Sequence, residues 1–264
     1  MVGELSIGGT ALSAFDVKCC GRGLLQGAVR DVGLIGIPGR GGDLARDLGR
    51  HENLSARYVC YITEDLDANL RELRDFLATL RGYVRIEDSL HPDEYLLGVY
   101  TGSFDPVSSP LRIAEQFTLE FSVQPRRYLI AGETPYTLAR ATFSGITAPY
   151  TIGTELILQN PTRQAAQPMV RAWYTDYRED MSLTVGNTLF YIKPCGHHML
   201  GLDCRNARAY FGAEGLGQYV SLVELGGSAL RYASGWPVLP AGTSSVLLGD
   251  NCQRAEVVPN WWRG

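Results

Sequence analysis

Between Asp65 and Arg81 the apolar residues Leu66, Leu70, Leu73, Leu77 and Leu80 recur at spacings of 4, 3, 4 and 3. That is the period of an amphipathic helix, and no other stretch of the 264-residue chain sustains it. Glu64, Asp65 and Asp67 load the N-terminal end with negative charge and Arg81 closes the C-terminal end. Thr63 is the expected N-cap and Gly82 is placed for a left-handed C-terminal cap. The spacing therefore predicts one long helix over about residues 65–81. A chain of this size with a single helix must build most of its core from strands.

The rest of the sequence reads that way. Thirty Gly and thirteen Pro punctuate it into short segments rich in Val, Ile, Tyr, Phe and Thr. Strands are expected at Arg57–Ile62, Tyr83–Glu87, Tyr95–Tyr100 and Phe117–Val123. In the last, Phe117, Leu119, Phe121 and Val123 alternate with Thr118, Glu120 and Ser122, which predicts one buried and one wet face. Ser182–Val185, Gly186-Asn187 and Thr188–Ile192 read as a hairpin, with Gly186 supplying the positive φ of a II′ turn. Gly226-Gly227 and Gly249-Asp250-Asn251 carry similar turn chemistry. Between Ala131 and Gly153 the composition shifts, and a domain boundary is expected near Gly132.

A formal net charge of −4 gives the chain no electrostatic reason to coat nucleic acid. The first basic residue is Lys18 and no apolar run precedes it, so no secretory signal is expected. Tyr232–Gly249, the longest promising uncharged stretch, is broken by Pro237 and Pro240, so no membrane helix is expected. The six cysteines, at 19, 20, 60, 195, 204 and 252, are too sparse for a disulfide framework and read as mostly reduced, buried, small apolar residues.

Four groups of residues invite a chemical reading. Cys195, His197 and His198, with Cys204 further on, carry ligand atoms that suit zinc. In a strand, however, Cys195 and His197 point one way and His198 the other, so the donors do not converge, and no metal site is expected. Ile37–Asp43 (IPGRGGD) is glycine-rich but lacks the GK[ST] ending and the GxGxxG pattern, and reads as a tight turn in which Arg40 and Asp43 can bridge each other or a partner. The acidic pairs Glu87-Asp88 and Asp93-Glu94 lie adjacent in sequence and face apart, which makes them poor acid/base partners. With four His, at 51, 91, 197 and 198, and no GxSxG elbow, no catalytic or cofactor-binding residue stands out, and the chain is not expected to be an enzyme. Trp173 and Tyr177 fall on one face of a strand-like stretch and are the candidates for a sugar-binding platform, although burial of that face in the core is favoured. Trp261 and Trp262 are expected to pack against their own chain rather than end it as exposed indoles.

Taken in order, the first part resembles the N-terminal domain of siphophage distal tail proteins, the Dit family. The residues that carry the resemblance are Val32–Leu44 (VGLIGIPGRGGDL), Tyr58–Ile62, Leu66–Leu80 (LDANLRELRDFLATL), Gly82–Asp88, His91–Tyr95 and Phe117–Pro125. The second part is similar, more loosely, to the family's galectin-like β-sandwich. It matches through Asn160–Pro168 (NPTRQAAQP), Tyr191-Ile192, Leu202-Asp203, Trp236-Pro237, Gly242–Leu247 and the closing Val257–Trp262. Neither Cys19-Cys20 nor His197-His198 matches a family role.

The resemblance implies a mainly β chain in two domains. Residues 1–132 would form a ring-forming β-barrel or sandwich domain with one α-helix. Residues 133–264 would form a galectin-like sandwich whose last strand packs back on the first domain. It implies a structural hub: a homohexameric ring at the virion tail tip, assembled in the bacterial cytoplasm. The ring would join the major tail tube protein to the tail-tip hub and to receptor-binding or baseplate proteins, and DNA would pass through its lumen without specific binding. No cofactor and no membrane are implied. The alternative is a carbohydrate-binding module contacting the host surface. At 264 residues there is no room for the extra carbohydrate-binding modules of longer family members.

Overall fold

The computed structural model describes residues 2–20, 27, 29–108, 113–141, 149–193, 198–212, 220–221, 230–232 and 236–264. The chain divides into two compact units, residues 1–128 with 264, and residues 129–263.

In the first unit the strands are β1 (Val2–Gly3), β2 (Leu5–Ile7), β3 (Thr10–Ala11), β4 (Lys18–Cys20), β5 (Arg30–Ile35), β6 (Leu44–His51), β7 (Leu54–Ile62), β8 (Val84–Asp88), β9 (Glu94–Tyr100), β10 (Val107–Ser108) and β11 (Glu115–Val123). One helix, α1 (Leu66–Thr79), links β7 to β8 and is the only α-helix among the described residues. The main sheet is antiparallel throughout and runs β1-β4-β7-β11-β9-β8-β2-β3, with β10 added on β11. The alternation predicted for Phe117–Val123 is observed: Phe117, Leu119, Phe121 and Val123 are buried. Opposite them on β7 lie Cys60, Tyr58, Ala56 and Leu54. These side chains form one face of a core to which α1 contributes Leu73 and Leu77, with Phe76 against Phe15 at 5.5 Å. Leu73→Ala is expected to cost about 2–5 kcal/mol, since the side chain is fully buried, and urea unfolding measures the loss.

The helix differs at both ends from the sequence expectation of 65–81. Thr63 does not cap it. Instead Asp16 Oδ2, at the end of a short 3-10 turn, accepts hydrogen bonds from the Thr63 and Glu64 amides (3.0 and 2.8 Å) and from the Thr63 hydroxyl (3.1 Å). Asp65 occupies the capping position without a side-chain bond. At the other end the cap is the extended Leu80, and Gly82 takes its left-handed φ of +62° only in the turn beyond. The Arg81 guanidinium donates to the carbonyls of Ala78 and Leu80, so the last turn is closed by a side chain rather than by a glycine cap. Partial burial of Asp16 works against its ionisation, but the amides of Thr63 and Glu64 and the Lys18 ammonium overcome it and hold the carboxyl at about 2. A lowered folded-state value stabilises the fold above the ordinary 3.8, and that contribution is lost as pH falls towards 2. Asp16→Asn is expected to flatten the acid limb of the stability–pH curve in that window, as chemical unfolding across pH can show.

β12 (Arg127–Leu129) runs through the boundary of the two units. The second unit contains β13 (Tyr136–Ala139), β14 (Tyr150–Ile152), β15 (Glu155–Asn160), β16 (Met169–Tyr174), β17 (Met181–Val185), β18 (Thr188–Ile192), β19 (Met199–Asp203), β20 (Arg208–Gly212), β21 (Val220–Ser221), β22 (Leu230–Tyr232), β23 (Gly242–Leu248), β24 (Cys252–Val258) and β25 (Trp262–Arg263). Two sheets, β14-β13-β24-β16-β19-β20-β21 and β15-β23-β17-β18-β22, share one apolar core. Leu156, Leu158, Leu183 and Phe190 enter it from one sheet, and Val170, Ala172, Tyr174 and Leu200 from the other. The predicted hairpin is β17–β18, closed by Gly186 at φ +58°. The turn at Gly249–Asn251 joins β23 to β24, while Gly226-Gly227 lies outside the described residues.

Two polar anchors hold this sandwich, the buried Asn160 and the exposed Arg140. Asn160 Nδ2 faces the carbonyls of Gln164, Leu239 and Pro240 (2.9–3.1 Å), and its Oδ1 accepts from the Thr162 amide and hydroxyl. Arg140 donates to the carbonyls of Leu248, Gly249 and Cys252, pinning the β23–β24 turn. The unit's first and last backbone segments also meet: Leu129 N–H donates to Trp261 O, and Asn260 N–H to Gly132 O, both at 2.8 Å. Trp261 is buried in the core, and Trp262 Nε1 donates to Ala165 O at 2.9 Å, so both indoles pack on their own chain.

Candidate functional site

Between β4 and β7 the chain leaves the main sheet and forms a hairpin of its own, β5 paired with β6 and, among the described residues, with no other strand. Val32 pairs with Asp47, Gly33 with Arg46, Leu34 with Ala45 and Ile35 with Leu44, with a bulge between Arg30 and Val32. The tip is the glycine-rich segment singled out in the sequence. Gly39 and Gly42 adopt φ of +82° and +83°, which L side chains rarely take, and Arg40 N–H donates to Ile37 O at 3.1 Å. It is a backbone-determined turn, as expected. The arm's ion pairs are Arg30–Asp47 (2.9 Å) and Arg50–Asp31, towards its root, rather than Arg40 with Asp43 at its tip.

Opposed residues share a face of a ladder. One face of the arm therefore carries Val32, Leu34 and Ala45, and the other Ile35, Leu44 and Leu48. All of β6 is exposed. Leu34 is 67% exposed, Leu48 49%, Ile35 47% and Leu44 42%. An isolated two-stranded hairpin is marginal in water, and this one has apolar side chains on both faces and two unpaired edges. Among the described residues nothing covers it. This is the surface most fitted to a partner.

The other candidates resolve differently. Cys195 and His197 lie outside the described residues. His198 stacks edge-on against Tyr177 at 4.5 Å and gives its carbonyl to Tyr174 N–H. Cys204 is buried, and that burial pushes its thiol up to about 12. Among the described residues no three His, Cys, Asp or Glu side chains come together as a metal site.

The two carboxylates of the first acidic pair turn to different partners. Glu87 bonds Arg85 (2.5 Å), Asp88 lies 3.6 Å from His91, and Glu94 lies 3.7 Å from Arg127. The cavity that Asp88, His91, Glu94 and Arg127 share with Tyr58 and Tyr95 is about 10 Å³, room for a water and not for a substrate.

The core face of β16 is that of Ala172 and Tyr174. Trp173 is buried on the opposite face, with the Arg254 guanidinium 3.7 Å from its ring centroid. Tyr177 lies beyond the strand, against the core edge. The indole is covered, so the two rings do not make an open stacking platform. Among the described cysteines, 19, 60, 204 and 252 are buried and Cys20 is exposed.

No protein-family model and no curated protein matches the sequence. Solved structures do match. The chain is similar to the Dit protein of phage SPP1, described as a paradigm of the hub of the adsorption apparatus in phages infecting Gram-positive bacteria. The TM-score is 0.64 at 14% identity, over 97% of this chain and 98% of that one. It is also similar to a chain of the phage P2 baseplate in its activated conformation with calcium (TM-score 0.54, 11% identity, 97% of each chain). The strontium form of that baseplate gives 0.53 and 10%, over 100% of this chain and 99% of that one. The fold is thus mainly β with one helix, and it is the fold of Dit hub proteins.

Proposed function

We propose that this chain is the structural hub of a long non-contractile phage tail, without catalytic activity, assembling as a closed ring of six copies. The observation that carries the reading is the β5–β6 arm, apolar on both faces and uncovered. A ring of identical subunits needs a heterologous contact, in which a projecting element of one copy meets a different surface of the next. The likeness of fold to phage hub proteins supports the same role.

In this reading residues 1–132 make the ring and line its lumen, and residues 133–264 form a galectin-like domain. The ring joins the tail tube to the tail-tip or baseplate proteins in the virion, after assembly in the host cytoplasm. DNA passes through without specific binding, in keeping with a net charge of −4. No helix among the described residues is long and apolar enough to cross a membrane.

Light scattering and negative-stain imaging of the purified full chain test the proposal. Particles of six times the chain mass with a central opening are expected. Monomers alone, together with tail particles that lack this chain, would overturn it.

A further inference from the structure

We propose that Cys19 and Cys60 are a redox pair that oxidises to a cross-strand disulfide, stapling β4 to β7, the strands that flank the β5–β6 arm in sequence. The two residues face each other directly on adjacent antiparallel strands, β4 and β7. Their sulfurs lie 2.9 Å apart, in a hydrogen-bonding contact between thiols. Directly opposed residues of an antiparallel pair have Cα separations of about 4.5–5.5 Å, inside the range a disulfide spans, and the bond itself is about 2.05 Å. Small side-chain rotations therefore close the gap with no shift of the ladder. The chain between the two cysteines contains β5 and β6, so the crosslink closes a loop around the arm and fixes the two strands that flank it in sequence. This inference concerns one unit of one chain and does not depend on ring formation.

The chemistry balances with a low-molecular-weight disulfide, such as oxidised glutathione, as oxidant. The Cys19 thiolate attacks one glutathione sulfur, forming a mixed disulfide and releasing one glutathione thiolate. The Cys60 sulfur gives up its proton, attacks the Cys19 sulfur and displaces the second glutathione thiolate. Two protein thiols are oxidised, one small disulfide is reduced, and both protons end on the released glutathione. Cys19 is 7% exposed and Cys60 fully buried, so the first step waits on local opening of the strands. The second step is intramolecular and fast. The hydrogen bond to Cys19, with burial, also pushes the Cys60 thiol above its ordinary value. In a reducing cytosol the pair stays as two thiols, and outside it the bond accumulates.

The test unfolds the full chain in urea and refolds it in oxidised or in reduced glutathione, which removes the barrier of access. Non-reducing peptide mapping is expected to join the peptides bearing Cys19 and Cys60 in the oxidised sample only, with two free thiols lost. The melting midpoint of that unit should rise by about 10 °C and fall back on adding reductant. Trypsin leaves Cys19 and Cys20 on one peptide, so a Cys20→Ser variant makes the assignment. It should keep both the crosslink and the shift, whereas Cys60→Ser or Cys60→Ala should lose both. Recovery of Cys19 and Cys60 as free, alkylatable thiols after oxidative refolding would overturn the proposal, as would a crosslink that needs Cys20.

Discussion

A chain carrying Leu34→Ser, Ile35→Ser and Leu44→Ser together is expected to fold as the parent does and to remain monomeric where the parent assembles. Each of these side chains is already more than 40% exposed in the single chain, so their loss removes little from its own stability. In an assembly each would be buried, and burying a Leu or Ile side chain is worth about 1.5–3 kcal/mol. With about half of each side chain still to be buried, three of them lost from one contact weaken it by about 40- to 2,000-fold. The three residues take both faces of the arm, so a partner on either side is affected. Sedimentation of the variant beside the parent gives the answer, with unfolding in urea as the control. A variant that still assembles at the parent's mass would show that the arm is not the contact.

Asn160→Ala is expected to cost the second unit about 3–4 kcal/mol. The side chain is 3% exposed, and its amide and carbonyl between them satisfy three backbone carbonyls, one backbone amide and one hydroxyl. Deletion strands the Pro240 carbonyl and the Thr162 amide, at about 1–3 kcal/mol for each that water cannot reach, while the Leu239 and Gln164 carbonyls keep bonds from the Ala166 amide and the Thr162 hydroxyl. Asn160→Asp is the sharper probe. It is nearly isosteric, but as a carboxylate it cannot donate to carbonyls, and burial raises its folded-state pKa. A raised value means that stability is present at low pH and lost as pH rises. This variant should therefore be poor at neutral pH and recover on acidification, whereas Asn160→Ala should not. Equal behaviour of the two variants across pH would show that hydrogen bonding at this site is not what holds the loop.

The parts of the fold legible in the sequence are those where one face is buried and the element is regular. The leucines of α1 and the alternation of β11 announce themselves because burial selects apolar residues at the element's own period. The arm was legible only at its tip, where glycine is demanded by φ. Its strands were not, because neither face is buried and nothing imposes an alternation. The group that closes the start of α1 is hidden for another reason: Asp16 stands far from Thr63 in sequence, and Thr63 is itself a residue type that caps helices. Trp173 is buried by the Arg254 guanidinium of β24 and not by the sandwich core, a cover that lies far along the chain. Asn160 was noticed as part of a segment resembling a family, but the three carbonyls that it serves are set by the fold, two of them from the remote Leu239-Pro240 segment.

The backbone exchange between Leu129–Gly132 and Asn260–Trp261 makes the second unit a closed circuit in all but one covalent link. A segment that starts and finishes at the same place can be opened elsewhere along its length and rejoined there. The order in which its strands are synthesised is then separable from the order in which they lie. A short linker joining the two ends, with new termini opened in the turn at Asn206-Ala207, would yield a circular permutant with every strand neighbour unchanged. The same closure makes the unit one block for recombination, carried or exchanged whole.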